Sequence, residues 1–599
     1  MLVYGDLASS ESSDAVLRRL EAMLRDLAAM PPGIARHGHL VGAFIEAGAL
    51  AQGVADEAFA QSGQDDLPSP ALQAATALLT ALSGAVGRSW HGAFHDPAPL
   101  PWAELRRLGE AALPAQLSRR LAEGFGFYAV YPEAFLQAAA PLAPAPDTRV
   151  IGLRSIGTPL SAMVATGLGA GPPVTLRPTG HPFARQLSLS AGAEAALLEG
   201  ADRFAVVDEG PGLSGSSFGA VLDFLEDRGV AAERITVFPS HHGAPGPQAS
   251  ERHRARWPRL DRRVVGFETL LRDAPEPAHR LEHWAATLLG PPTAPLRDVS
   301  GGGWRALRFG SENDWPAVHP FAERRKLLFQ AADGPWLLKF IGLGRHGEEQ
   351  AERARELAAA GFSPPVAGFR HGFLLERWIE DAQPLHPDEN REGLLDHLAR
   401  YLAFRARSFG SGGSSHDSLP GATVRELWQM ARHNAAEALG DSVASLLDPW
   451  QEVLPRLEAR VRRLRTDNRL QCWEWLRLPD GGLLKTDAVD HAAAHDLVGC
   501  QDLSWDLAGA AAEMALTPDE LHRLHRRVES LSGTPVDETL LALMRPCYLA
   551  FQLGSWSMAA QASDPASADH GRAAGMAALY GQQLAHLLRG EAASPHPSR

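Results

Sequence analysis

Apolar positions recur at three- and four-residue spacing from Ser13 through Met30, which predicts an amphipathic helix stopped by Pro31-Pro32-Gly33. The same period predicts helices over Leu40–Ala60 and Ala71–Leu82, and shorter ones at Trp102–Leu108 and Leu117–Glu123. Residues 1–127 thus read as a helical region. Beyond it the pattern changes to short continuous apolar runs. Arg149–Leu153, Phe204–Val207 and Ile235–Phe238 read as buried strands alternating with helices at Leu160–Leu168 and Phe218–Asp227. That alternation predicts a mostly parallel sheet with helices on both faces over residues 128–290.

Pro291–Pro295 reads as a linker. Residues 300–385 are strand-rich with one helix at Glu348–Ala360. Residues 386–590 are largely helical, interrupted by a strand–turn–strand segment at Cys472–Thr486. The stretch Ser408–Ser415 reads as a Gly/Ser loop and Ala592–Arg599 as a disordered tail. The expected fold class is multidomain, α/β followed by α+β.

Composition narrows the function classes. A chain of 599 residues predicts roughly three to five domains. Its 45% hydrophobic and 21% charged residues exclude a wholly disordered chain. A formal charge of -14 argues against a nucleic-acid partner. Three cysteines fit a reducing compartment. The first residues lack the basic and apolar regions of a signal peptide, and no run of about 18 uncharged apolar residues predicts a membrane span. The expectation is a cytoplasmic protein acting on small molecules. The helical region could serve as a homo-oligomer surface, a lid or a partner platform. His37 and His39, near Glu46 and Glu57, read as capping and surface histidines, because no H-E-x-x-H or Cys/His framework accompanies them.

The sharpest chemical signal is the strand Phe204–Val207 running into Asp208-Glu209 and then Gly210-Pro211-Gly212-Leu213-Ser214-Gly215-Ser216-Ser217 before a helix. A helix N-terminus offers outward backbone N–H groups and partial positive charge, so such a loop can cradle a phosphate. Gly212 and Gly215 permit close approach, and Ser214, Ser216 and Ser217 add hydroxyls. Asp208 and Glu209 can accept hydrogen bonds from vicinal hydroxyls such as those of a ribose. The segment resembles the phosphoribosyl-pyrophosphate (PRPP) loop of type I phosphoribosyltransferases, with one residue inserted between acids and turn. A second strand–loop–helix, Val150–Leu160, occupies the family's pyrophosphate-loop position. The resemblance, over about residues 128–270, implies that Arg154, Ser155, Gly157 and Thr158 bind pyrophosphate. It also implies that Arg177 or Arg185, from the intervening hood, closes over it. His181 is either a proton donor or a loop residue. The acceptor contacts are expected near Pro239–Gly243, at the end of a strand. Cleavage at the anomeric carbon would place positive charge on the ribose beside Asp208 and Glu209, with Mg²⁺ assisting the departing pyrophosphate.

The second signal is Lys339 within the apolar strand Trp336–Phe340, followed by a helix carrying Glu348, Glu349, Glu352 and Glu356, and then by Gly372–Trp378. This order resembles the small lobe and hinge of protein-kinase-like folds, especially aminoglycoside and choline phosphotransferases, and extends over about residues 300–590. The resemblance implies that Lys339 contacts ATP phosphates and pairs with Glu352, or with Glu348 or Glu349. It implies that Glu376 lies at the nucleotide site. Ser300–Trp304 is either a phosphate-covering turn or a linker.

In the large lobe, Asp467–Leu476 corresponds to the family's catalytic loop. This places Arg469 at the base position and Glu474 at a metal position. Arg469 cannot act as a base at neutral pH; Asp467 is the alternative. Asp487 corresponds to the metal-binding aspartate and Asp506 to the residue that buttresses the loop. His491, His495 and Asp496 lie between. The leading expectation is PRPP-dependent ribosyl-phosphate transfer or cleavage coupled to a nucleotide-binding kinase-like module, acting on a nucleotide-like small molecule. The alternatives are a non-catalytic ligand-sensing regulator or scaffold with a pseudokinase module, and a small-molecule kinase alone.

Overall fold

Strand alternation in the middle of the chain sends side chains to two different cores. In the computed structural model, which describes residues 1–5, 8–63, 65–386, 388, 390–410 and 419–590, five strands form one all-parallel sheet. Their spatial order is Val174–Leu176, Thr148–Leu153, Arg203–Val207, Ile235–Phe238, Asp261–Arg262. Val150, Ala205, Val207 and Phe238 enter a core shared with the N-terminal helices. Ile151, Leu153, Phe204, Val206, Ile235 and Val237 enter a second core under the helix Ser216–Asp227. Both faces are buried, as a parallel sheet requires. In chain order the strands lie 2-1-3-4-5, so the order reverses between Thr148–Leu153 and Arg203–Val207, the place where open α/β sheets hold ligands.

The N-terminal helices are Ser13–Ala29, Ile34–Gln61, Pro70–His91 and Trp102–Gly109. The Ile34–Gln61 helix is buried on every side, from Leu40 and Phe44 to Leu50 and Val54, which marks a core helix. Pro70–His91 is long and apolar enough to cross a membrane by length and composition, at a mean hydropathy of 1.2. It packs against the helices Ile34–Gln61 and Gly157–Leu168. The expected helix at Leu117–Glu123 is instead a strand, Gln116–Arg120, antiparallel to Ala8–Ser12. Alternation decides it: Leu117 and Arg119 point inward, and Arg119 joins Glu46 at 2.8 Å.

The expected domain limits are blurred by shared cores. One core runs from the N-terminal helices through the parallel sheet to Leu327, Leu338, Phe340 and Phe373. Those last residues belong to a five-stranded antiparallel sheet ordered Ala294–Asp298, Lys326–Ala331, Gly334–Phe340, Phe373–Arg377, Val366–Arg370. The expected linker therefore already contains the start of a strand. The helix Gly344–Ala359 follows the third strand. Helices Arg391–Ser408, Val424–Leu439, Leu503–Glu513, Glu538–Ala562 and Ala568–Arg589 build the C-terminal lobe. A small sheet of Gln383–Pro384, Trp475–Arg477 and Leu483–Lys485 interrupts it.

Residues at the chain start pack here rather than with the helical region. Val3 is in this lobe's core, and its carbonyl accepts from Leu497 N at 2.7 Å. The Gly/Ser stretch 411–415 and the tail 592–599 lie outside the described residues.

Candidate functional site

Lys326 and Lys339 stand directly opposite each other on adjacent strands, a like-charge arrangement that is unfavourable unless neutralised. The C-terminal lobe supplies the counter-charges. Asp487 pairs with Lys339 and lies 3.3 Å from Lys326, while Asp490 lies 3.2 Å from Lys339 and 3.4 Å from Arg324. Glu323 adds a contact to Lys326 at 3.2 Å. Burial opposes ionisation of Lys326, Lys339, Asp487 and Asp490. The mutual pairing wins, holding Lys339 well above and Asp487 and Asp490 well below their ordinary ranges. Asp487 sits at a φ of 53°, a left-handed conformation that costs energy for a non-glycine residue.

Glu323, Arg324, Lys326, Asp487 and Asp490 of this network line a cleft between the two lobes, with Lys339 buried behind them. The cleft encloses about 1220 Å³ of space continuous with solvent, and Trp304, Trp378, Trp473, Glu376, Glu474 and Arg469 are among its walls. Glu376 shares a sheet face with Lys339, because its cross-strand partner is Leu337. Burial pushes its carboxyl up to about 7 against the pull of Lys339.

The expected pairing of Lys339 with a helix glutamate does not form. Glu352 is exposed. Glu348 meets His39 at 3.2 Å, and Glu349 meets Arg345 and Arg465. The helix Gly344–Ala359 turns Ala351, Ala354 and Leu357 into the core instead, which rotates its glutamates outward. Ser300–Trp304 also departs from a glycine-rich hairpin. Residues 299–325 form a long excursion between two strands, pinned where Arg305 meets Asp569 at 2.7 Å and Gly302 N donates to Glu323 at 3.2 Å.

Below the cleft, Asp506 accepts from Asp467 N at 2.8 Å and Asn468 N at 3.0 Å, and so buttresses that loop. Asp467 is fully enclosed. Tyr401 donates to it, and Lys485, His491 and Arg405 stand at 3.6, 3.6 and 3.7 Å. Burial alone would raise its carboxyl; Lys485, His491 and Arg405 outweigh that and hold it at about 2. Asp467 is therefore a structural anion and not a free base. Glu474 bonds Lys485 at 2.6 Å, and the ligand atoms of Asp467, Glu474 and His491 lie within 4.8 Å of one another. Hard carboxylate oxygens at Glu474 and Asp487 suit magnesium, so the donor set fits that ion.

At the parallel-sheet reversal, the structure brings Arg154–Thr158 and Asp208–Ser217 to the carboxyl ends of neighbouring strands. Burial pushes Asp208 up to about 7 against its bond from Glu209 N and the nearby Arg185 and Arg177. Burial, then Asp208 and Glu123, push Glu209 up to about 8. His241 lies against Gly210, so the segment expected to hold acceptor contacts does adjoin the acid loop.

Arg154, Arg177, Ser214 and Ser216 are otherwise engaged, whereas the Thr158 hydroxyl is buried without a partner. Arg154 pairs with Asp66 and stands 3.4 Å from Asp56, while Arg177 donates to Asp56 at 3.0 Å. Ser216 and Ser214 donate to the Pro182 carbonyl at 2.7 and 3.3 Å. That carbonyl sits at the tip of the hairpin Thr179–His181/Ala184–Gln186, which closes onto the loop. Asp56 and Asp66 belong to the helical region, so nothing in the local motif announced them. Lys326 could have been read as a second lysine opening an apolar run, and Asp490 from its spacing after Asp487.

No protein-family model and no curated protein matches the chain. Over about half its length it is similar to solved choline kinases and aminoglycoside phosphotransferases. A choline kinase from Streptococcus pneumoniae shares 18% identity over 44% of this chain and 89% of that one, with a TM-score of 0.31. A choline/ethanolamine kinase family protein from Mesorhizobium loti shares 18% over 50% and 92%, at 0.31. Spectinomycin phosphotransferase, solved with ADP and spectinomycin, shares 11% over 52% and 96%, at 0.33. Scores this low establish no common fold, so the reading of the cleft rests on its own geometry. The phosphoribosyltransferase resemblance gains no support from these matches.

Proposed function

We propose that the inter-lobe cleft binds a magnesium nucleotide and transfers its terminal phosphoryl group to a small hydroxylated molecule. The observation that carries this reading is that Lys326, Asp487 and Asp490 line an aromatic-walled cleft, with Lys339 buried behind the two aspartates and paired with both. The two lysines supply charge for phosphate oxygens, and Trp304, Trp378 and Trp473 offer faces for a purine ring. Magnesium held by Asp487 and Glu474 would neutralise phosphate charge. Nucleotide phosphates would compete with Asp487 for Lys339, freeing Asp487 for the metal. Arg469 lines the acceptor side as a cation. Asp490, which also lines the cleft, is held as an anion by Lys339 and Arg324 and orients those cations; a loose phosphoryl transition state asks little of a general base.

Titration calorimetry with MgATP, followed by ADP release in the presence of polyols and amino alcohols, tests this. Binding that requires Mg²⁺ and falls at least tenfold in Asp487→Asn is expected. Metal-independent binding, or an unchanged Asp487→Asn variant, refutes it.

A second reading concerns the parallel sheet. The placement of two small-residue loops at the order reversal, with Asp208-Glu209 between them, favours a ribose-phosphate ligand such as PRPP. Such a ligand must displace Asp56 and Asp66 from the arginines and Pro182 from the serines. Thermal shift with PRPP and Mg²⁺, present in the wild type and absent in Asp208→Asn, is the expected outcome. No shift in the wild type removes this reading.

A further inference from the structure

Three segments far apart in sequence converge on one buried point away from both sites. His37 comes from the helix Ile34–Gln61, Glu133 from the helix Pro132–Ala139, and His371 from the turn joining the strands Val366–Arg370 and Phe373–Arg377. Their side chains are 0%, 0% and 1% exposed. His37 Nε2 and His371 Nε2 both point at the same carboxylate oxygen, Glu133 Oε1, at 2.8 and 2.9 Å. The other oxygen, Glu133 Oε2, is buried without a hydrogen-bond partner. A buried carboxylate normally carries a full counter-charge or satisfies both oxygens. Among the described residues, the bonds to Glu133 come from two imidazoles on one oxygen.

Two further details fit a cation at this point. His37 Nδ1 meets Ser89 Oγ at 2.9 Å, the outer-side hydrogen bond that orients a ligating imidazole and fixes its tautomer. His371 adopts φ 40° and Gly372 φ 97°, a turn that places a non-glycine residue in the left-handed region. Asn or Gly would fit that turn at lower cost. His371 is nonetheless there, with its ring beside Gly38.

We propose that His37, Glu133 and His371 form a structural site for a borderline divalent metal ion, zinc(II) in the first instance. The two Nε2 atoms and both oxygens of Glu133 make four donor atoms. One ligand atom from each of the three residues lies within 4.8 Å of the other two, and Zn–N and Zn–O bonds of about 2.0–2.2 Å are reached from there by side-chain movement. The site ties the helical region, the segment leading into the parallel sheet and the antiparallel sheet together. Because the site is enclosed, metal enters as the chain folds and its binding free energy adds to folding.

The test is metal analysis of the full-length protein, purified without chelator from zinc-supplemented culture and, separately, from cobalt-supplemented culture. The expected result is about one metal per chain, a visible cobalt ligand-field band, and loss of both in Glu133→Gln and His371→Ala. Glu474→Gln, which alters the cleft, should keep the metal. X-ray absorption on the wild-type zinc protein covers the case in which a variant fails to fold: a nitrogen/oxygen shell with two imidazoles is expected. Folded wild-type protein holding less than about a tenth of an equivalent overturns the proposal. So do a sulfur-containing or single-imidazole shell, metal retained in both ligand variants, and metal lost in Glu474→Gln.

Discussion

Replacing Lys339 by Met removes one ammonium from the network while keeping an unbranched side chain of similar length. Lys339 lies 3.2 Å from Asp490 and closer still to Asp487. At an effective dielectric constant of about 20, unit charges at that separation attract by about 5 kcal/mol. Two such attractions are lost. Against them, the ammonium no longer has to be desolvated and no longer faces Lys326. Breaking a buried pair from one side costs about 3–5 kcal/mol net. Lys326 still lies 3.3 Å from Asp487, and Arg324 3.4 Å from Asp490, which places the expected loss near the low end, about 3 kcal/mol.

The chain is multidomain, so a single global unfolding energy is not the right observable. Hydrogen exchange read on peptides covering Leu483–Asp490 reports the local opening. A loss of about 3 kcal/mol corresponds to exchange about a hundredfold faster in that segment. The double variant Lys339→Met/Asp490→Asn should recover part of it, because the uncompensated anion is gone. Exchange altered less than about threefold, or strictly additive effects in the double-mutant cycle, would mean that the lysine is not what holds the two lobes together here.

Two further outcomes follow from the parallel-sheet site. Asp56→Asn frees Arg177 and weakens the hold on Arg154, and should tighten inorganic pyrophosphate binding about fivefold, the worth of a partly exposed ion pair of about 1 kcal/mol; calorimetry showing unchanged or weaker binding contradicts this. Glu209 titrates near 8 when folded and near 4.5 when unfolded, so the folded state binds the extra proton between those values and stability falls as pH rises through that window. Glu209→Gln should flatten the decline in hydrogen-exchange protection of peptides covering Arg203–Glu209 between pH 5 and 9, and parallel protection profiles for the two proteins would refute the assignment.

Much of the architecture was legible in the chain. Short continuous apolar runs located the strands Arg203–Val207, Ile235–Phe238 and Gly334–Phe340, because a strand buried on both faces carries apolar residues at successive positions, and alternation of strand with helical period located the helices Ser216–Asp227 and Gly344–Ala359. The segment Gln116–Arg120 misled because five residues of mixed polarity fit either period; pairing with Ala8–Ser12 decided it. Asp506 and Asp487 were named from the resemblance of their surrounding residues to a family motif; the loop that Asp506 holds, at Asp467 and Asn468, lies 39 and 38 residues away in sequence.

What a single sequence determines about this protein is where chemistry-bearing groups stand along its own elements: Lys339 on a strand, Asp208-Glu209 at a strand's end, small-residue loops before helices. Which charges meet is a tertiary matter. Lys339 and Asp487 are 148 residues apart, Arg177 and Asp56 are 121 apart, and Glu133 and His371 are 238 apart. Helix rotation carried Glu352 away from Lys339, and the helical region brought acids to Arg154 and Arg177. Long-range ion pairs depend on the relative placement of whole elements, which the shared cores impose and no local period encodes.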